Sequence, residues 1–79
     1  MTRVLLFGRL HDVAGWRDAE REATTLSELV GLLSQESPEL GEALRARGVR
    51  TALNLEIVHG DRPLRSGDEV AFMAPMSGG

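Results

Sequence analysis

The sequence predicts an α+β fold in which one main helix packs across one face of a mixed sheet. Apolar residues with strand spacing occur near both ends of the chain, over residues 3–9 and 69–73. Between them lies one dominant amphipathic segment, which begins at Leu26. Runs of strands around a single main helix are typical of α+β domains. The spacing alone leaves open which strands are neighbours in the sheet.

The first predicted strand covers residues 3–9. Val4 and Leu6 point to one face, and Leu5 and Phe7 point to the other. Apolar side chains on both faces predict a central strand whose second face is also covered.

The next segment leads from this strand into the main helix. Residues 9–18 are expected to form a loop, and the polar residues 19–23 predict only a weak strand, because alanine and glutamate are poor strand formers. A capping box then begins the helix, with the Thr25 side chain accepting from the amide of Glu28 and Glu28 reaching back to the cap amide. An apolar stripe at helical spacing follows, formed by Leu26, Leu29, Val30 and Leu33.

A second, shorter helix is predicted over residues 38–47. Ser37 is its cap, Pro38 occupies the first helical position, and Gly48 fits the left-handed position that ends it. Its predicted buried face consists of Leu40, Ala43 and Leu44.

The last part of the chain predicts three more strands. They cover residues 51–55, 56–59 and 69–73, with a turn at 60–63 between the second and the third. Leu64 is isolated between turns and is expected to plug one end of the core. In the final strand Val70 and Phe72 share a face, and the strand should end by about Pro75, which cannot donate to a sheet ladder.

Length, charge and composition exclude several classes of protein. Seventy-nine residues allow one small domain, and 42% apolar with 27% charged residues indicate a globular chain. There is no cysteine, and hence no disulfide, thiolate zinc site or cysteine nucleophile. A net charge of −3 without a basic stripe argues against nucleic-acid binding. No apolar run of about 18 residues and no signal peptide is evident, so we expect a cytoplasmic protein that binds no membrane.

No self-contained catalytic site is evident. His11 and His59 are far apart in sequence, and no His, Asp or Glu cluster has metal-ligand spacing. Phosphate-loop and serine-elbow motifs are absent as well. The group that remains is the α-carboxylate of Gly79, which resists nucleophiles until it is given a leaving group, as adenylation by ATP would do.

The end of the chain carries a family resemblance. Leu64-x-x-Gly67-Asp68-Glu69-Val70 is followed by Pro75 and a terminal Gly78-Gly79. This pattern resembles the ubiquitin-like sulfur carriers, and most closely the small subunits of molybdopterin synthase. The likeness runs from the first strand through Asn54 to the tail.

The resemblance implies a β-grasp (ubiquitin-like) fold. The first and last strands would then pair side by side in a mixed sheet of about four to five strands, with one main helix and one short helix packed on one face. Residues 1–75 would form the domain, and residues 76–79 a flexible Gly-Gly tail.

The resemblance also implies the chemistry of the tail. An adenylating enzyme of the ubiquitin-E1 type would activate Gly79 with ATP, and a persulfide donor would convert it to a thiocarboxylate. Gly79 would then donate sulfur to cyclic pyranopterin monophosphate in the active site of a larger synthase subunit, which supplies the acid and base groups within a heterotetramer. The product is the molybdopterin dithiolene, which later holds molybdenum or tungsten. The carrier itself would hold no metal and no stable cofactor.

Two sets of residues are predicted to meet these partners. Ser77, Gly78 and Gly79 should enter a narrow partner channel, because residues with little or no side chain admit an extended backbone. Pro75 favours an extended residue before it, which helps the tail to project. The predicted docking residues are Phe7, Ile57, Met73 and Pro75. The alternative is that loops or the second helix cover these apolar side chains.

Other functions remain open at this point. The chain could carry sulfur for thiamin, cysteine or tRNA thiolation, although its length and second helix favour the molybdopterin type over the shorter thiamin carriers. It could be a ubiquitin-like modifier whose Gly79 forms isopeptide bonds with lysines of target proteins. It could also be a plain binding module with a disordered tail.

Overall fold

The computed structural model describes residues 1–75. Within them the chain forms five strands and three helices, in the order β1 (Thr2–Phe7), α1 (Arg9–Ala14), β2 (Asp18–Arg21), α2 (Leu26–Glu36), α3 (Pro38–Leu44), β3 (Arg50–Leu53), β4 (Glu56–Val58) and β5 (Glu69–Met73). The predicted α+β class is confirmed. Ser77, Gly78 and Gly79, for which a role in a partner channel was predicted, lie outside the described residues.

The five strands form one mixed sheet in the order β2-β1-β5-β3-β4. β1 and β5 are parallel neighbours, with Val4 opposite Val70 and Leu6 opposite Phe72, and the other pairs are antiparallel. The first and last strands are therefore central neighbours, as the β-grasp resemblance implied. The weakly predicted strand beside β1 is also present.

The core lies between one face of this sheet and the helices. Val4, Leu6, Val70 and Phe72 are buried on the sheet side, and Leu29 and Leu33 of α2 are buried against them. Leu64, the predicted plug, is buried in the same cluster. Burial of such side chains is the main favourable contribution to folding.

Helix α2 begins at the predicted capping box, with one change. The Thr25 hydroxyl accepts from the amide of Glu28 at 3.0 Å, as expected. The Glu28 carboxylate accepts from the amide of Thr24 at 2.8 Å, one residue before the cap. The Thr25 bond satisfies an amide that the first helical turn leaves without a partner, and the Glu28 bond holds the residue that precedes the cap.

Helix α3 is shorter than predicted. Ser37 caps it by accepting from the amide of Leu40 at 3.2 Å, and Pro38 is its first residue. The helix ends at Leu44 and not at residue 47, because the Arg45 amide turns toward nearer carbonyls, including that of Glu42 at 3.2 Å. Gly48 has the predicted left-handed conformation, but it lies in the loop beyond the helix.

The loop predicted over residues 9–18 is wrong, because residues 9–14 form helix α1. Leu10 is fully buried, and Val13 and Ala14 pack against the core at i+3 and i+4 spacing. Six residues are too few for this spacing to be distinguished from chance in the sequence. The helix also has no side-chain cap, since Gly8 precedes it.

A hydrogen-bonded turn cluster of Asn54, Arg65, Asp68 and Glu69 joins the β3–β4 turn to the start of β5. The Asn54 side chain donates to the Asp68 carboxylate at 3.0 Å and accepts from the amide of Glu69 at 2.9 Å. The other Asp68 oxygen accepts from the amide of Arg65 at 2.8 Å. The Arg65 bond, and then the Asn54 bond, hold the pKa of the Asp68 carboxyl below its usual value.

The stability contributed by Asp68 should therefore depend on pH. Its folded-state pKa lies below the unfolded value of 3.8, so this contribution is complete above that value and is lost as pH falls through the lower one. We expect the unfolding free energy of Asp68→Asn to fall less steeply than that of the wild type between about pH 5 and pH 2 in urea titrations. Glu56→Gln is the control, because the Glu56 carboxylate makes no hydrogen bond or ion pair with residues 1–75. Equal slopes for all three chains would contradict the prediction.

Candidate functional site

The sheet face opposite the helices carries the predicted docking residues. Side chains of directly paired residues lie on the same face of a sheet. One row across four strands consists of Leu5, Ala71, Ala52 and Ile57, each paired with the next. A second row, one step closer to the tail, consists of Phe7, Met73 and Arg50. We call these seven residues the docking face.

The predicted docking residues differ in exposure. Phe7 is 49% exposed and Ile57 is 47% exposed, while Met73 is half-buried. The expectation that the second face of β1 is also covered is therefore wrong at Phe7. The apolar residues on the two sides of β1 therefore have different surroundings. Val4 and Leu6 belong to the core, whereas Phe7 lies on an open surface.

Pro75 lies just beyond the tail end of the docking face. β5 ends at Met73, which pairs with Phe7, and the chain then passes through half-buried Ala74 to exposed Pro75. The parallel β1–β5 pairing thus brings the docking residues of the first strand to the end of the sheet from which the tail continues.

Charged groups lie at both ends of this face. At the end away from the tail, Arg3 donates two hydrogen bonds to Asp18, the shorter of 2.6 Å, and lies 3.8 Å from a carboxylate oxygen of Glu69. The hydrogen bond from Arg3 lowers the pKa of the Asp18 carboxyl. At the tail end Arg50 forms no ion pair with any residue in 1–75. The face therefore has an apolar centre and an ion-paired far end, and near the tail it carries the Arg50 guanidinium, which has no ion-pair partner among residues 1–75.

Sequence reasoning did not name four members of the docking face, namely Leu5, Ala52, Ala71 and Arg50, although it placed Leu5 on the same face of the first strand as Phe7. Ala52 and Ala71 are small and buried, and Arg50 is polar, so none of them stood out as a docking residue. The alternation of side chains along β3 and β5 shows which of their residues share a face. The strand register is needed to show that this face is the one that carries Phe7 of β1. A surface cleft of about 410 Å³, lined in part by Arg50, Ile57 and His59, lies beside this face.

The histidines and carboxylates of the described residues form no metal site. Within residues 1–75 no group of three or more His, Cys, Asp or Glu side chains is placed to hold a metal ion. His11 lies 3.4 Å from the carboxylate of its neighbour Asp12, and His59 is exposed after β4. No helix in this part of the chain has the length and apolar character needed to cross a membrane.

Known proteins resemble this chain over its whole length. The model of the ThiS family matches residues 4–79. The molybdopterin synthase sulfur carrier subunit of Escherichia coli K12 is 33% identical over 81 aligned residues, with 100% of both chains covered.

Solved structures show the same fold. SAMP1 from Haloferax volcanii superimposes with a TM-score of 0.87 at 24% identity, covering 99% of this chain and 98% of that chain. A chain from the complex of subunits 1 and 2 of the molybdopterin-converting factor of Helicobacter pylori gives a TM-score of 0.72 at 26% identity, with 99% and 97% covered.

The two phenylalanines provide a matched test of the docking face. Phe72→Ala, in the core, should lower the unfolding free energy by about 3–5 kcal/mol, because it leaves a cavity. Phe7→Ala should lower it by about 1 kcal/mol or less, because the ring is already half in water. Urea titration of both variants measures the difference. Equal losses would mean that Phe7 is covered.

Proposed function

Because the chain belongs to the ThiS family, we propose that it is the sulfur carrier subunit of a molybdopterin synthase. The observation that carries this proposal is the end-to-end likeness to the Escherichia coli sulfur carrier subunit at 33% identity. Gly78 and Gly79 follow Pro75 by three and four residues, as the proposed tail requires.

In this proposal the reacting group is the α-carboxylate of Gly79. An adenylating enzyme forms an acyl-adenylate there and releases pyrophosphate from ATP. A persulfide sulfur then attacks the acyl carbon and displaces AMP, and a thiol cleaves the sulfur–sulfur bond to leave the thiocarboxylate. The carrier contributes the acyl group and its delivery, which is why no cysteine of its own is needed.

Delivery requires a partner that holds the acceptor. We propose that the docking face binds the larger synthase subunit while residues 77–79 enter its active site. Residues without a Cβ admit a backbone into a narrow channel. The Helicobacter pylori structure named above, which supports this proposal, is a complex of subunits 1 and 2 of the molybdopterin-converting factor. The larger subunit would supply the acid and base groups and bind cyclic pyranopterin monophosphate.

A second candidate is a ubiquitin-like modifier. SAMP1, with a TM-score of 0.87, is a small archaeal modifier protein, although the likeness at 24% identity concerns the fold. The same acyl-adenylate would then be attacked by a lysine amine of a target to form an isopeptide. The chain has nine arginines and no lysine, so its own side chains offer no acceptor for such a bond.

Intact mass distinguishes the carrier from a plain binding module. After incubation with ATP, a matching activating enzyme and a persulfide donor, the wild type should gain the mass difference of one oxygen-to-sulfur exchange. Gly79→Ala should form little thiocarboxylate and support little synthase turnover, because its methyl group obstructs the channels of both partners.

Gly31→Ala is the matched control. Gly31 lies in α2, and a Cβ there would meet no atom within 4 Å, so this variant should be loaded like the wild type. A wild-type chain that stays unchanged beside an activating enzyme proven on another carrier would contradict the proposal. Covalent adducts with target proteins, in place of the sulfur exchange, would support the modifier.

The docking face gives a separate prediction. Phe7→Asp should weaken binding to the larger subunit by roughly tenfold or more, because it places a charge in a desolvated contact. Leu55→Asp adds the same charge at a turn residue that is 88% exposed and lies off this face, so its effect should stay within about twofold. Isothermal titration calorimetry measures both dissociation constants. Equal effects would place the interface elsewhere.

A further inference from the structure

Two glycines from separate loops lie against the last described residues of the chain. A Cβ at Gly48 would lie 3.1 Å from Pro75 Cγ and 3.5 Å from Pro75 Cβ. A Cβ at Gly8 would lie 3.4 Å from the Cβ of Ala74. We call Gly8 and Gly48 the glycine collar of Ala74 and Pro75.

Backbone conformation alone does not explain this contact. Gly8 and Gly48 have φ values of +66° and +91°, which favour glycine. Three other described glycines, Gly15, Gly60 and Gly67, also have positive φ, yet a Cβ at any of them would meet no atom within 4 Å. Among the described glycines with positive φ, only Gly8 and Gly48 would therefore bring a Cβ within 4 Å of another segment.

The collar lies at the end of β5, next to the neighbouring ends of β1 and β3. Phe7, the residue before Gly8, pairs with Met73 on one side. Arg50, two residues after Gly48, pairs with Met73 on the other. The chain therefore leaves the sheet between two loops, and a Cβ at Gly48 would crowd Pro75 while one at Gly8 would lie at van der Waals distance from Ala74.

The point at which the tail starts limits where Gly79 can reach. Four residues follow Pro75, and such a segment spans at most about 14 Å. A shift of Pro75 relative to the docking face would therefore change which positions in a bound partner Gly79 can reach. Misplacement of a reacting group by about 1 Å can lower a rate by about a hundredfold.

We propose that the glycine collar is a positioning device for sulfur transfer. By contact with Ala74 and Pro75, it fixes where the tail starts relative to the docking face. When that face is bound, Gly79 then meets the partner's reacting site. This inference rests on the proposed function and adds Gly8 and Gly48 as positioning residues.

The test compares Gly48→Ala with Gly60→Ala, because both place alanine at positive φ and only the first meets Pro75. Thiocarboxylated variants are mixed with the larger subunit and its pterin substrate. Both should lose similar thermal stability and bind the larger subunit within about twofold of the wild type. The single-turnover sulfur-transfer rate should fall by roughly tenfold or more for Gly48→Ala alone.

A Pro75→Ala background separates the contact from a general loss of structure. Without the proline ring, the Cγ that the added methyl of Gly48→Ala would meet at 3.1 Å is gone, and the Cβ at 3.5 Å remains. Adding Gly48→Ala to Pro75→Ala should then change the transfer rate by less than about twofold. If Gly48→Ala does not fold, the pair Gly48→Asn and Gly60→Asn repeats the comparison, since asparagine tolerates positive φ.

Each outcome has a separate meaning. Equal transfer rates for Gly48→Ala and Gly60→Ala, or an unchanged effect of Gly48→Ala in the Pro75→Ala background, would overturn the collar. A wild-type chain that accepts no sulfur would overturn the proposed function itself. Slow transfer by Gly48→Ala with normal binding, relieved in the Pro75→Ala background, would support the collar.

Discussion

The parallel pairing of β1 with β5 is the constraint on which the rest of this structure depends. It brings the two ends of the described chain into the middle of one sheet, with Val4 opposite Val70 and Leu6 opposite Phe72. Parallel strands cannot be joined by a tight turn, so the chain between them must cross over the sheet. That crossover contains α2 and α3, whose buried leucines cover these four side chains. The segment that connects the two parallel strands therefore also supplies the helices that complete the core.

The same pairing gives the sheet two unlike faces. Helices cover one face, and the other carries the rows that contain Phe7, Met73 and Ile57. A small domain has too little chain to cover both faces of a five-stranded sheet. An uncovered apolar face suits a protein that works by docking, and the pairing aligns this face with the end of β5 from which the tail continues.

The loops at the two ends of the sheet are held to β5 by different interactions. At the end away from the tail, hydrogen bonds hold the turns together, since Asn54 binds both Asp68 and the amide of Glu69. At the tail end no such bonds are needed, and the loops lie so near the chain that a Cβ at Gly48 would be 3.1 Å from Pro75 and one at Gly8 would be 3.4 Å from Ala74. Hydrogen bonds therefore fix the position of β5 at its start, and close packing fixes it at its end.

The sequence by itself determined the local structure wherever one short-range rule decided it. Thr25 and Glu28 predicted the start of α2, Ser37 and Pro38 the start of α3, and the alternation of Val70 and Phe72 the last strand. Each of these signals depends on residues within four positions of one another. The family resemblance added the strand order, which spacing had left open.

Only the tertiary structure decided what depends on distant residues. Helix α1 was missed because its stability comes from burying Leu10 against the core, and not from its own six residues. The exposure of Phe7 depends on which face the helices occupy, and the place of Ala52, Ala71 and Arg50 in the docking face depends on strand register. Gly48 could be predicted to have positive φ, but its contact with Pro75 joins residues far apart in sequence. Local rules contain no information on such pairs, because it is the packed chain that brings them together.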